Sequence, residues 1–480
     1  MTGLAGVILS LILLMYFAYR GINVLVLAPI MTLLAVLAHG DLPLLATYTQ
    51  IFMPALGRYV ITFFPLFMLG AIFGKLMDDS GSARVIAHWI TERTGAERAI
   101  LAVVLACGIL TYGGVSLFVV AFGVFPIAAA LFREAGTPKR LIPGAIALGS
   151  FTFTMTALPG TPAIQNAIPA PFFGTDAFAA PGLGTIAGLI MFAAGVAWLN
   201  WRAAAARSAG EGYLGPIAAG GLKPSTVGAA QVADVPREAT PPAAEGQPGV
   251  ALAFAPVVIV IAVNWLFLNH AVPLMDTAYL GEPKYGSTSI GAVRGIWSII
   301  VALVVAILFL LATAGRAMAD VKRSVNEGTM GSLLPIFNTA SEVGYGVTIA
   351  SLPAFAVIRE AVLGVGGGNP VISLAVAVNV LAGITGSASG GMSIALQTLG
   401  STYAELAAAA GISPEILHRV SALASGGFDS LPHNGAVITL LAICGLTHRD
   451  SYVDIGVVSV VIPLLSLVAV LVLFSLFGTF

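Results

Sequence analysis

The residues of this chain that could do chemistry are few, and they sit in apolar company. The stretch "SGGFDSLPHN" (425–434) holds Asp429 and His433 four residues apart inside a long hydrophobic segment, and "NTASEVGYG" (338–346) holds Glu342 in the same way. Ionisable groups at membrane depth are rare and mark ion pathways by default. Desolvation perturbs a carboxyl and an imidazole alike, so either can exchange a proton near neutral pH. Asp429, His433 and Glu342 are therefore expected to couple a cation. His433 has a competing reading, a purely structural hydrogen bond. A metal centre is not expected, because no third or fourth ligand is spaced near Asp429 and His433.

A second set of residues is polar but uncharged. "LTYGGVSLF" (110–118) and "ITGSASGGMSIAL" (384–396) each interrupt an apolar run with the residues least able to hold a helix together. Helix ends formed at such breaks leave N–H groups free and carry partial positive charge. Hydroxyls beside them can donate to a hydroxylated anion. The substrate-binding candidates are Thr111, Gly113, Gly114 and Ser116 at the first break, and Thr385, Gly386, Ser387, Ser389 and Gly390 at the second. Two further breaks at Leu-Pro pairs add Thr161, Asn166, Ser430 and Asn434. Helix ends converging in this way would hold a small carboxylate without an intramembrane arginine, which the sequence does not obviously offer. The competing reading is that the small residues only let helices pack closely.

The elements that must position these groups are membrane helices. Of 480 residues, 58% are hydrophobic and 9% charged, far below the charge of a soluble domain. Runs such as "IWSIIVALVVAILFLLATA" are long enough to span the hydrocarbon layer. Spans are predicted near 4–19, 22–38, 58–74, 141–172, 182–200, 250–268, 291–314, 331–358, 412–447 and 452–477. Residues 98–132 and 370–410 are too long for one crossing and break in the middle, so each reads as a re-entrant hairpin. Residues 141–172 and 412–447 read as broken helices. With both termini outside, 16 of the 21 lysines and arginines fall on the cytoplasmic side. The first apolar run lacks a positive leader and a cleavage site, so it reads as a spanning helix. Cys107 and Cys444 read as small buried hydrophobes. The balance of charge, −1 overall, points to no nucleic-acid partner.

The two halves repeat each other. "AGTPKRLIPGAIALGSFTFTMTALPGTPAIQNAI" (135–168) and "AGISPEILHRVSALASGGFDSLPHNGAVITLL" (410–441) both run Ala-Gly-x-x-Pro, a half-span, a polar stretch ending in Leu-Pro, and a second half-span. The Ala/Gly/Pro-rich stretch 202–249 reads as a flexible cytoplasmic linker. The predicted fold is an all-α polytopic membrane protein of two inverted repeats, 1–201 and 250–480. Each would hold five spans, one of them discontinuous, and one hairpin. Such duplication points to a secondary transporter with its site at mid-depth.

Those paired corners and Leu-Pro breaks resemble the ion transporter superfamily. Within it, "LAGITGSASGGMSIAL" and "NTASEVGYGVTIASLPAF" resemble the gluconate permease (GntP) family. The resemblance implies proton-coupled symport of gluconate-like acids or short hydroxy acids such as 3-hydroxybutyrate. It also implies a homodimer in the bacterial inner membrane and elevator-like movement. No cofactor is expected beyond the coupling ion, H+, with Na+ as the alternative. An ion antiporter is the rival within transport. An intramembrane hydrolase is disfavoured, since "GSASG" has Ala388 where a nucleophile elbow needs serine. A channel is disfavoured because no charged ring or filter motif is present.

Overall fold

The computed structural model describes residues 2–20, 22–40, 42–115, 117–216, 248–315, 318, 320–432 and 434–480. Ser116, His433 and most of the 202–249 linker lie outside the described residues. Apart from a two-residue strand pair, Glu211–Gly212 with Gly215–Pro216, the regular structure among the described residues is helical.

Among the described residues, five helices are long and apolar enough to cross a membrane by length and composition: Leu44–Asp79, Pro181–Ser208, Val250–Leu274, Ile290–Ala314 and His448–Phe477. A sixth span is reached if the bent pair Val321–Ser351 and Phe355–Leu363 counts as one. Shorter apolar helices, among them Val24–Leu37, Ala99–Tyr112, Pro370–Thr385 and Gly435–Cys444, fill the spaces between. This is a multi-pass, all-α membrane protein.

The elements recur in one order. Two paired helices (Thr2–Tyr19 with Val24–Leu37; Val250–Leu266 with Ile290–Ala314) come first, then a long helix (Met53–Asp79; Val321–Ser351) and a short one (Ser82–Thr94; Phe355–Leu363). A packed pair joined at a Gly-rich corner follows (Ala99–Tyr112 with Leu117–Glu134; Pro370–Thr385 with Ala388–Ala409). Then come a segment broken into short pieces and a final long helix. The two long helices pack along each other, as do the two final helices, and one continuous apolar core runs through both halves.

Several boundaries depart from the sequence expectation. The span read at 58–74 is the middle of a helix reaching back to Leu44, because a turn of π-helix at Tyr48–Phe52 carries the backbone hydrogen bonds through. The span read at 331–358 is two helices. Val321–Ser351 stops at Leu352, whose extended backbone (ψ 142°) is what a residue before proline adopts, and the chain turns by 97° into Phe355–Leu363. Ser82–Thr94 was absent from the predicted spans, since its polar face dilutes the hydropathy that marks a crossing helix. The helix before the linker continues to Ser208, and the chain beyond it is tied down by Arg140, whose guanidinium pairs with Glu211 at 2.6 Å.

Candidate functional site

The second Gly-rich corner is built by two adjacent caps. Gly386 ends Pro370–Thr385 in the left-handed conformation (φ 64°), which glycine adopts without a Cβ penalty. Ser387 then caps the 22-residue helix Ala388–Ala409, its Oγ accepting from Gly390 N at 3.0 Å. Thr385 Oγ1 donates to the Leu381 carbonyl at 2.9 Å and lies 3.2 Å from the Ser387 carbonyl, which steadies the turn.

The second broken segment brings its own helix start to this corner. Asn434 caps Gly435–Cys444, with Oδ1 accepting from Val437 N at 2.9 Å. Its Nδ2 donates to the Gly386 carbonyl at 2.7 Å. Two helix N-termini thus stand side by side, joined through one amide side chain. Partial positive charge at both makes the neighbourhood favourable for an anion.

Glu342 of Val321–Ser351 meets the same corner. It is 4% exposed, Ser387 is the polar neighbour of its carboxyl group, and Oε2 has no hydrogen-bond partner among the described residues. A Cβ on Gly390 would overlap that oxygen, so glycine is what admits the carboxyl group here. Thr339, one turn before Glu342, places Oγ1 3.4 Å from Ser389 Oγ. The structure therefore gathers Thr385, Gly386, Ser387, Ser389, Gly390, Asn434 and Glu342 in one place. Asp429 and Ser430 lie behind it. Both are buried; Ser430 Oγ donates to Asp429 Oδ1 at 3.1 Å, and the Ser430 carbonyl accepts from the Tyr452 hydroxyl. Phe428 and Leu431, on either side, approach Gly383 in the hairpin arm below the corner.

The first corner has different partners. Thr111 Oγ1 is buried without a hydrogen-bond partner, Gly113 backs on Val257, and Gly114 backs on Pro162 of the first broken segment. Tyr112 donates to the Pro159 carbonyl at 2.6 Å. Thr161 is buried, and its Oγ1 accepts from Ala163 N at 3.3 Å. Asn166 is committed elsewhere: Nδ2 donates to the Thr161 and Ala177 carbonyls, and Oδ1 accepts from Arg419 Nη1 at 3.1 Å.

Arg419 corrects the expectation that the sequence offers no obvious intramembrane arginine. It is 0% exposed, and its guanidinium donates to the Ala157, Ala177 and Ala179 carbonyls as well as to Asn166. Those donors satisfy carbonyls that the broken backbone of 153–180 leaves without helical partners. Arg419 is consumed in holding two segments together. His418, also fully buried, completes the knot through Thr175 at 2.7 Å and Asn166 at 3.3 Å. An arginine inside "PEILHRVSALAS" was the available signal. Tyr59 and Ser393, both buried near Glu342, gave none, because a tyrosine or serine in an apolar helix is ordinary.

A multi-pass helical protein with interrupted helices and polar corners buried between them belongs, as a class, with membrane transporters. The chain is 44% identical over 477 residues to the uncharacterized transporter YxjC of Bacillus subtilis (strain 168), covering 98% of each. It belongs to that transporter's family, and it is a transporter rather than an enzyme. Its fold is similar to that of Neisseria gonorrhoeae MtrF, described with a class of antimetabolite efflux pumps, at a TM-score of 0.54 and 12% identity, covering 90% of this chain and 84% of that one. The YdaH transporter of Alcanivorax borkumensis aligns with a TM-score of 0.49 at 18% identity, over 88% of this chain and 86% of that one. No protein-family model matches the chain.

Proposed function

We propose that this protein is a secondary active transporter of the gluconate permease kind. It carries a small organic anion, a gluconate-like acid or a short hydroxy acid such as 3-hydroxybutyrate, together with protons across the bacterial inner membrane. The observation that carries this reading is the meeting of two helix N-termini, capped by Ser387 and Asn434, at the bond from Asn434 Nδ2 to the Gly386 carbonyl. A carboxylate placed there gains from both helix dipoles and from nearby hydroxyls, with no buried positive side chain required.

In this reading Thr385, Gly386, Ser387, Ser389, Gly390, Ser430 and Asn434 form the substrate side. Thr111, Gly113, Gly114, Ser116, Thr161 and Asn166 belong to the matching corner of an inverted first repeat. Glu342 and Asp429, with His433, carry the coupling proton. The acid occurs in one half only: Glu342 stands nine residues before the end of its long helix at Ser351, whereas Gly70 stands nine before Asp79. That asymmetry suits one coupling site per protomer. The corners are re-entrant, the working unit is a homodimer, and the bundle carrying the site shifts like an elevator, with both chain ends outside and the 202–249 loop cytoplasmic.

The test is reconstitution in liposomes, with uptake of gluconate, 3-hydroxybutyrate, lactate and a dicarboxylate measured under imposed proton or sodium gradients. Accumulation of a hydroxy acid under an inward proton gradient alone is expected. Accumulation that follows sodium and ignores pH would replace the proton with sodium. Failure of every carboxylate to enter would overturn the reading.

A further inference from the structure

We propose that Tyr59 and Ser393 complete the coupling site around Glu342, as positioning residues whose hydroxyls exchange hydrogen bonds with its carboxyl group when the proton comes and goes. The inference rests on the transport reading above and deepens it. Three polar atoms from three elements carry it: Tyr59 OH from the helix Met53–Asp79, Glu342 Oε2 from Val321–Ser351, and Ser393 Oγ from Ala388–Ala409. Each belongs to a residue no more than 4% exposed, and none has a hydrogen-bond partner among the described residues. The Tyr59 hydroxyl lies beside Ser393, and Glu342 is the acid in its surroundings. Asn338 Oδ1, one turn before Glu342, is unpartnered as well.

Other polar groups nearby are satisfied. Tyr345 OH pairs with Ser10 Oγ at 2.8 Å and Thr348 donates to the Gly344 carbonyl at 2.8 Å, while Ser387 Oγ accepts from Gly390 N and keeps its own O–H toward Glu342. Around Glu342, open valences from three elements therefore meet. An unsatisfied buried polar group is costly to a fold, and native structures keep such groups where function uses them.

The chemistry is complementary. An ionised carboxylate only accepts, a protonated one also donates, and hydroxyls can turn to do either. Ionised Glu342 can take hydrogens from Tyr59 and Ser393; protonated, it donates one to either oxygen. The proton arrives from one aqueous face and leaves to the other, and no bond besides O–H forms or breaks. Ser387 of the hairpin arm lies at the Glu342 carboxyl group, Tyr59 of the long-helix partner has Glu342 in its surroundings with Ser393 beside it, and Ser389 meets Thr339; none of them is charged. Val24–Leu37, packed on the same helix, contains no titratable residue. Tyr345 on Glu342's own helix is tied to Ser10.

The test uses the full-length protein in liposomes and two readouts. The first is the pH-difference infrared spectrum in the carboxyl C=O stretching region, which needs no substrate. The second is the pH midpoint of 3-hydroxybutyrate uptake. E342Q is expected to remove one carboxyl band. Y59F and S393A are each expected to move that band and to shift the uptake midpoint by about 1 pH unit, the size that losing a hydrogen bond to a charged group gives. Y345F should change neither. Band and midpoint unmoved in both Y59F and S393A would overturn the proposal, as would an E342Q spectrum identical to the parent. A band that behaves as expected in a protein that moves no carboxylate would leave the site standing and refute the transport reading instead.

Discussion

Asn434 reaches from the start of its own helix to the corner of another: Nδ2 donates to the Gly386 carbonyl at 2.7 Å while Oδ1 accepts from Val437 N at 2.9 Å. One side chain thereby caps Gly435–Cys444 and fixes the angle at which that helix start faces the start of Ala388–Ala409.

The two jobs of Asn434 separate on substitution. N434D keeps the cap acceptor but loses the donor to Gly386, and it sets a carboxylate beside a carbonyl. N434A loses both and should lower stability by about 0.5–2 kcal/mol through the cap alone. Thermal unfolding in detergent should therefore show N434A well below the parent, with the helix start of N434D preserved. Uptake should fall in both. Equal uptake by N434D and the parent would remove the Gly386 bond from the substrate site.

Gly390 admits the Glu342 carboxyl group, since a Cβ there overlaps Oε2. G390A is expected to destabilise by about 1–3 kcal/mol through overpacking and to abolish uptake. Combining it with E342A removes the overlapping atom and should restore the melting temperature but not proton-driven uptake. Strict additivity of the two losses in the double variant would show that the side chains do not meet.

Arg419 is a structural arginine. R419M leaves the buried Ala157 and Ala179 carbonyls without donors, at about 1–3 kcal/mol for each unsatisfied group, and takes one donor from Ala177 and Asn166, so folding yield and melting temperature should drop sharply. R419K should fall between the two, because three ammonium hydrogens cannot reproduce the fork that reaches Ala157, Asn166, Ala177 and Ala179. A folded R419M with parental stability would contradict this role.

Glu211 gives a pH effect outside the membrane segments. The Arg140 guanidinium, hydrogen-bonded to it at 2.6 Å, holds its carboxyl below the usual range. A depressed folded value means the contribution is fully present above the unfolded value, about 4.3 for glutamate, and is lost as pH falls through the folded one. The two side chains are partly exposed, at 23% and 20%, so solvent screening should keep the effect within about 1 kcal/mol. Melting curves between pH 6 and 3, taken as about the range that brackets that loss, should show the parent losing its margin over E211Q as the pH drops. A constant difference across that range would exclude the pairing.

Much of the site was legible in the sequence because breaks in an apolar run cannot be hidden. Thr385, Gly386 and Ser387 advertise a corner by their types, and Glu342 stands out as an acid among small and apolar neighbours. Arg419 was passed over because its carbonyl partners, scattered over 157–179, are brought to it only by tertiary structure. Asn166 is legible as a polar residue at a helix break, whereas its bonds to Arg419 and two carbonyls come only from the tertiary structure. Tyr59 is silent in sequence for a related reason: its meaning comes from a helix 334 residues away in the chain from Ser393. The bend after Ser351 was written in Leu352-Pro353 but was masked by apolar residues on both sides.

The most direct measurement is an electron cryomicroscopy map of the protein with a transported hydroxy acid bound. The account predicts carboxylate density between the Gly386–Gly390 corner and the Asn434–Val437 helix start, within hydrogen-bonding distance of both. Density for the acid at another site, with this corner closed to it, would contradict the account.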